Sequence, residues 1–145
     1  MANIFEATYE KVQELKKAFD IAADEVSRDK IRGAYAATMQ GLDSLGTEER
    51  IIWRAYEESR DCGNEYLDLH DCIQEDRVSG LIKALRENGI SKFTFSSSWS
   101  SAVETAWLFT KEGCSLEGII EINSTHKKFM SDEYEKAHGY LFKVN

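Results

Sequence analysis

Proline is absent from the 145 residues, where average usage of roughly 5% would supply about seven. Collagen-like and proline-rich classes are excluded. Cysteine is scarce. Cys62, Cys72 and Cys114 make an odd set that cannot pair off within one chain, which excludes a disulfide scaffold and fits a reducing cytosol. Apolar runs are short, as in Ala106-Trp-Leu-Phe109, far from the roughly 20 residues that span a bilayer. The opening Met1-Ala-Asn-Ile-Phe-Glu6 has neither the basic region nor the apolar stretch of a signal peptide. Positive charge is in deficit, with 18 Lys and Arg against 26 Asp and Glu and a formal net of −8. Direct nucleic-acid binding rests on cationic side chains neutralising phosphates, so it is disfavoured. The expectation is a cytoplasmic protein without membrane contact.

What is present is enough apolar material, 42% of the residues, for one core. Phe5, Val12, Phe19 and Val26 recur every seven residues, and Thr8, Leu15 and Ala22 follow the first three by three. That stripe suits a helix packed along another helix. Asn3 is placed to cap its start. The pattern slips after Val26 and resumes as Ile31, Tyr35, Thr38, Leu42 and Leu45. The slip fits a tight reversal near residues 27–30 or one bent helix, and an antiparallel hairpin is favoured because a lone stripe would stay wet. Gly46 reads as a helix stop and Thr47 as the cap of the next helix, which carries Ile52, Ala55 and Tyr56. A further helical stretch is expected from about Asn64 to Gly89, with a break near Asp76 left open.

After Gly89 the period changes. Lys92-Phe-Thr-Phe-Ser96 alternates like a strand. Ser101-Ala-Val-Glu104 is a capping box opening a helix. Leu116-Glu-Gly-Ile-Ile-Glu-Ile122 and Tyr140-Leu-Phe-Lys-Val144 read as two strands, joined by a polar segment through Lys127 and Glu135. The fold class is therefore α+β: a helical part of about four helices over residues 1–89, then a small β-α-β-β unit over residues 90–145, packed together as one compact domain.

Charge is uneven along the chain. Residues 57–76 hold eight acids, Glu57, Glu58, Asp61, Glu65, Asp68, Asp71, Glu75 and Asp76, against one cation, Arg60. On a continuous helix Glu65, Asp68, Asp71 or Cys72, and Glu75 share one face, about 5 Å apart. That approaches the spacing of charges along a polynucleotide strand. Such a stripe costs helix stability through like-charge pairs. It reads either as a solvated face that aids solubility or as a surface for a basic partner. Trp99, among five serines, is the aromatic expected at an interface.

Other constellations are weaker. Cys62, His70 and Cys72 lack the doubled pair spacing of a zinc site. Ser96-Ser-Ser-Trp-Ser-Ser101 joins a strand to a helix start, where free N–H groups can hold an anion, but it has neither phosphate-loop glycines nor a nucleophile elbow. Cap chemistry is the expectation for those serines. No catalytic residue, metal or cofactor is assigned, and a non-enzyme is expected.

The stretch Phe93-Thr-Phe-Ser-Ser-Ser-Trp-Ser-Ser-Ala-Val-Glu-Thr-Ala-Trp107, with Leu116-Glu-Gly-Ile-Ile-Glu-Ile-Asn123 and Tyr140-Leu-Phe-Lys-Val-Asn145, resembles a module in small proteins of bacterial mobile elements. That group includes anti-CRISPR inhibitors. The resemblance implies a phage or plasmid setting inside a bacterial cell and no particular chemistry. Joined to the acidic stretch, it sets the leading expectation: an inhibitor that mimics DNA and occupies the basic groove of a Cas9-type effector or another nucleic-acid-handling protein. The nine residues Glu57, Glu58, Asp61, Glu65, Asp68, Asp71, Glu75, Asp76 and Trp99 would form the contact. The alternative is an antitoxin-like or dimeric accessory protein that uses the N-terminal hairpin.

Overall fold

The computed structural model describes residues 4–70, 75–97 and 101–145. The expected cap at Asn3 lies outside them. Two helices, α1 (Ile4–Ile21) and α2 (Glu25–Asp43), form the antiparallel hairpin. The chain reverses at residues 22–24, earlier than the expected 27–30. Asp24 decides the place: its carboxylate accepts from the Ser27 N–H at 2.7 Å and starts α2. Of the heptad stripe, Phe5, Val12 and Leu15 are buried, while Val26 is 70% exposed. Helix α3 (Thr47–Asp61) follows, with Gly46 at φ +133° as its N-cap residue and Thr47 already helical, so Thr47 is not the cap.

The stretch expected to be helical from Asn64 is not helical over residues 64–70 and is helical over Val78–Glu87. Gly63, at φ +80°, closes α3, and its N–H donates to the Arg60 carbonyl at 3.0 Å. Asp68–Leu69 then forms strand β1. A 3-10 turn, Glu75–Arg77, leads into α4 (Val78–Glu87). Leu67, Asp68 and Leu69 are all buried, and β1 pairs in parallel with β2 (Lys92–Phe95). Partnership with a distant strand outweighed local helical spacing.

Helix α5 (Ala102–Lys111) starts at Ser101, but no side-chain capping bond forms there. Strands β3 (Ser115–Lys127) and β4 (Tyr134–Lys143) run well beyond the apolar segments expected of them. The polar segment thus becomes the far end of a long hairpin, and Lys127 pairs with Tyr134 across it.

The fold is α+β, with a helical N-terminal region followed by a mixed sheet and helices. Strand order is β1-β2-β4-β3, with β2 and β3 each antiparallel to β4. Strands β1, β2 and β3 therefore point the same way, and their carboxyl ends lie on one edge of the sheet. The first strand of the sheet comes from the part expected to be all helical.

Alternation along the strands assigns the faces. Phe93, Phe95 and Phe142 turn to α5, where the Phe109 ring meets theirs at centroid distances of 5.1, 5.3 and 5.3 Å. Asp68, Thr94 and Ile122 turn to the opposite face, toward α3. No helix among the described residues is long and apolar enough to cross a membrane. Phe109 is fully buried, so Phe109→Ala should lower stability by about 3–5 kcal/mol, read as a shifted urea-unfolding midpoint.

Candidate functional site: a polar cleft at the carboxyl edge of the sheet

The end of α3 builds the first wall. Past Gly63, the side chain of Asn64 behaves like one more strand residue. Its Nδ2 donates to the Asn123 carbonyl and its Oδ1 accepts from the Asn123 N–H, both at 2.8 Å. Asn123 Nδ2 in turn donates to the Cys62 carbonyl at 2.8 Å. These bonds satisfy the outer edge of β3 at Asn123 and tie it to the α3 terminus.

The floor is Asp68, whose residue is 7% exposed. A buried carboxylate is costly unless its oxygens are bonded. Oδ1 accepts from Thr94 Oγ1 and Oδ2 from Ser96 Oγ, both at 2.7 Å. The Asp68 N–H donates to Ser59 Oγ at 2.9 Å, which joins β1 to α3. Two residues on, alternation brings His70 to the same face. Its Nε2 lies 3.1 Å from Glu58 Oε2, and Arg54 Nε lies 3.3 Å from the other Glu58 oxygen.

Glu58, Asp68, His70, Ser96, Asn123 and His126 line a cleft of about 150 Å³. Its volume equals that of about five waters in the liquid. The cleft lies beside the carboxyl ends of the parallel pair β1 and β2 and the outer part of β3.

Proton positions follow from the partners. A carboxylate only accepts, so the 3.1 Å contact requires a proton on His70 Nε2. The Ser96 hydrogen is given to Asp68, which leaves the Ser96 oxygen free to accept. The cleft therefore offers acceptors. An anion at the serine-rich turn would compete with Asp68, which already takes the Ser96 donor.

Of the nine residues expected at a partner contact, Glu65, Asp68 and Glu75, expected on one helical face, are not on one helix. Glu57, Glu58 and Asp61 are on α3, Glu65 is in the following loop, Asp68 is in β1, and Glu75 and Asp76 are in the 3-10 turn. Asp71 and Trp99 lie outside the described residues. Several carboxylates have internal partners. Asp61 accepts from the Tyr9 hydroxyl at 2.7 Å, and Glu58 and Asp68 are engaged as above. Glu57 is half-buried, and burial pushes its carboxyl up against the opposing pull of Lys16, with Asp61 and Glu58 adding to the rise. The helical ladder that supported the DNA-mimic expectation is not formed among the described residues, because Asp68 and Leu69 pair as a strand instead of coiling. Glu58 and Asp68 carry over from that expectation into the cleft.

His70, Ser96, Asn64, Asn123 and His126 were not among the expected site residues. His126 and His138 are in β3 and β4. Cys62 is buried at the cleft wall, and burial together with the charges of Asp61, Glu58 and Asp68 pushes its thiol up, away from the reactive thiolate.

A family model described as a domain of unknown function (DUF7698) matches residues 51–144. The chain belongs to this family. The match contains every cleft residue and begins after the α1–α2 hairpin. Neither the curated proteins nor the solved structures contain a match.

Two outcomes are expected. Thr94 is fully buried, so the near-isosteric Thr94→Val should cost about 1.5–3 kcal/mol by removing a bond to a buried charge, measured by urea unfolding. Burial, then the hydrogen bond to Asp61 and its charge, push the Tyr9 hydroxyl up to about 12 from 10.0. A raised acid stabilises the fold below its unfolded value, and the contribution is lost as pH rises from about 10 to 12. In an ultraviolet titration the last tyrosinate should appear near that upper value and be missing from Tyr9→Phe.

Proposed function

We propose that this chain is a binding domain for a small cationic or donor-rich molecule, an amine foremost, held in the cleft between α3 and the carboxyl edge of the sheet. The observation that carries the reading is the convergence of Glu58–His70 and Asp68–Ser96 in one cleft, where the His70 and Ser96 hydrogens are committed to carboxylates. An ammonium or hydroxyl group can donate to the acceptors of this lining. The concentration of acids in residues 57–76 gives the same region a negative potential, which favours cations at the entrance. The size suits a fragment of a few heavy atoms. The charge surplus that suggests a polynucleotide mimic thus has a second use, as an attractive field around a small site. No arrangement of carboxylates among the described residues supports the reading as an inhibitor of a Cas9-type effector.

The test is a backbone-amide NMR titration with 1,4-diaminobutane, ethanolamine, glycerol and inorganic phosphate. The amines should shift the amides of His70, Ser96 and Asn123 with saturation. Glu58→Gln and His70→Ala should weaken that binding about tenfold, in line with loss of a bond to a charged group. Saturable phosphate shifts at those amides with none from the amines would overturn the reading. So would amine shifts confined to the outer acids Glu65 and Asp76.

A further inference from the structure

The hairpin stands outside the family domain and is poorly covered by it. Helix α2 has 19 residues and buries only Leu42, and α1 buries only Phe5, Val12 and Leu15. Helices of this length draw most of their stability from a buried apolar face. Gly33 and Gly41, where an added Cβ would meet nothing within 4 Å, weaken α2 further relative to alanine. Yet apolar side chains continue along both helices. Leu15, Phe19, Ile31 and Tyr35 line an open groove of about 350 Å³, and at its end Ile21 and Val26 are 84% and 70% exposed. Arg28 and Arg32 sit 5.5 and 5.3 Å from the centroid of the Phe19 ring.

The charges on the rim say what fits this groove. Its α1 side carries Lys16 and Asp20, one turn apart and on either side of Phe19. Neither makes an ion pair within 4 Å among the described residues. A cation and an anion flanking an aromatic at one-turn spacing match the same surface turned through half a rotation. With the axis midway between the two, at position 18, Lys16 of one copy then meets Asp20 of the other, twice, and the two Phe19 rings lie beside the axis. An isologous interface has that self-complementarity. We propose that the groove is closed by a second copy of this chain, the two α1–α2 hairpins packing antiparallel about a two-fold axis near Phe19 to make a four-helix cluster. The inference is independent of the cleft, which lies on the far side of α3.

Sedimentation equilibrium of the full chain tests it, with far-UV circular dichroism to confirm folding. The wild type should dimerise at concentrations of about 100 µM or below. Lys16→Glu or Asp20→Lys alone sets two like-charge pairs facing each other and should weaken association about tenfold. The double exchange Lys16→Glu/Asp20→Lys should restore it, and Ile31→Glu should abolish it. A monomeric wild type would overturn the proposal. So would single exchanges without effect, or a double exchange no tighter than either single, since both mean another surface or another partner.

Discussion

The parallel pairing of β1 with β2 rests on one carboxylate. A strand of two residues has a short ladder, and at its ends the Thr94 N–H donates to the Leu67 carbonyl at 2.9 Å and the Ser96 N–H to the Leu69 carbonyl at 3.1 Å. Asp68 adds two side-chain bonds by taking the Thr94 and Ser96 hydroxyls across the same pair. Its own N–H holds Ser59 of α3. Strand, neighbouring strand and covering helix are thus fixed around a single buried charge. The bonds are short and charge-assisted, the class that offsets the desolvation of an ion. Without them, nothing on the α3 face would position His70 against Glu58.

The same carboxylate explains why the Ser96 hydroxyl is not a free donor for an anion. A strand that leads into a helix start gathers donors, and such places attract phosphates and sulfates. In this chain the negative group is already supplied from within. Ser96 spends its hydrogen on Asp68, and what it turns to the cleft is an oxygen lone pair. The polarity of the site is therefore the reverse of what the serines suggest by themselves. Acceptors dominate, and the acids of the surrounding stretch reinforce them.

Much of the architecture was legible from periodicity. The hairpin followed from the apolar stripe, and β2, α5 and the cores of β3 and β4 followed from the change of period after Gly89. The α3–β1 segment was not legible, for a physical reason. Glu65, Asp68 and Cys72 fall at helical steps, while Leu67-Asp68-Leu69 satisfies the period of a strand equally well. Three residues cannot decide between two periods. The decision came from Thr94, 26 positions away, whose hydroxyl and N–H both find β1. The site inherits that ambiguity. With Asp68 on a helix, His70 turns away from it; with Asp68 on a strand, the two share a face, and Glu58 comes within reach. The length of the β3–β4 hairpin was hidden similarly, because its outer half is polar and exposed, and only cross-strand pairing such as Lys127 against Tyr134 keeps it extended.

Helix α3 joins the two ends of the molecule. Its residues at 3.6-residue spacing divide into two working faces. Tyr56 meets Phe5 and Tyr9 at centroid distances of 6.2 Å each, and Arg60 lies 4.9 Å from the Tyr9 ring centroid, so this face belongs to the hairpin. Glu58, Ser59 and Cys62 belong to the cleft. Asp61 stands between them with the Tyr9 hydroxyl in its grip. Both faces sit on one short helix, which Ser59 locks to β1. The helix that meets the hairpin's aromatics is therefore the one that holds Glu58 against His70. The hairpin, which precedes the matched residues, and the cleft within them share α3 as a common support.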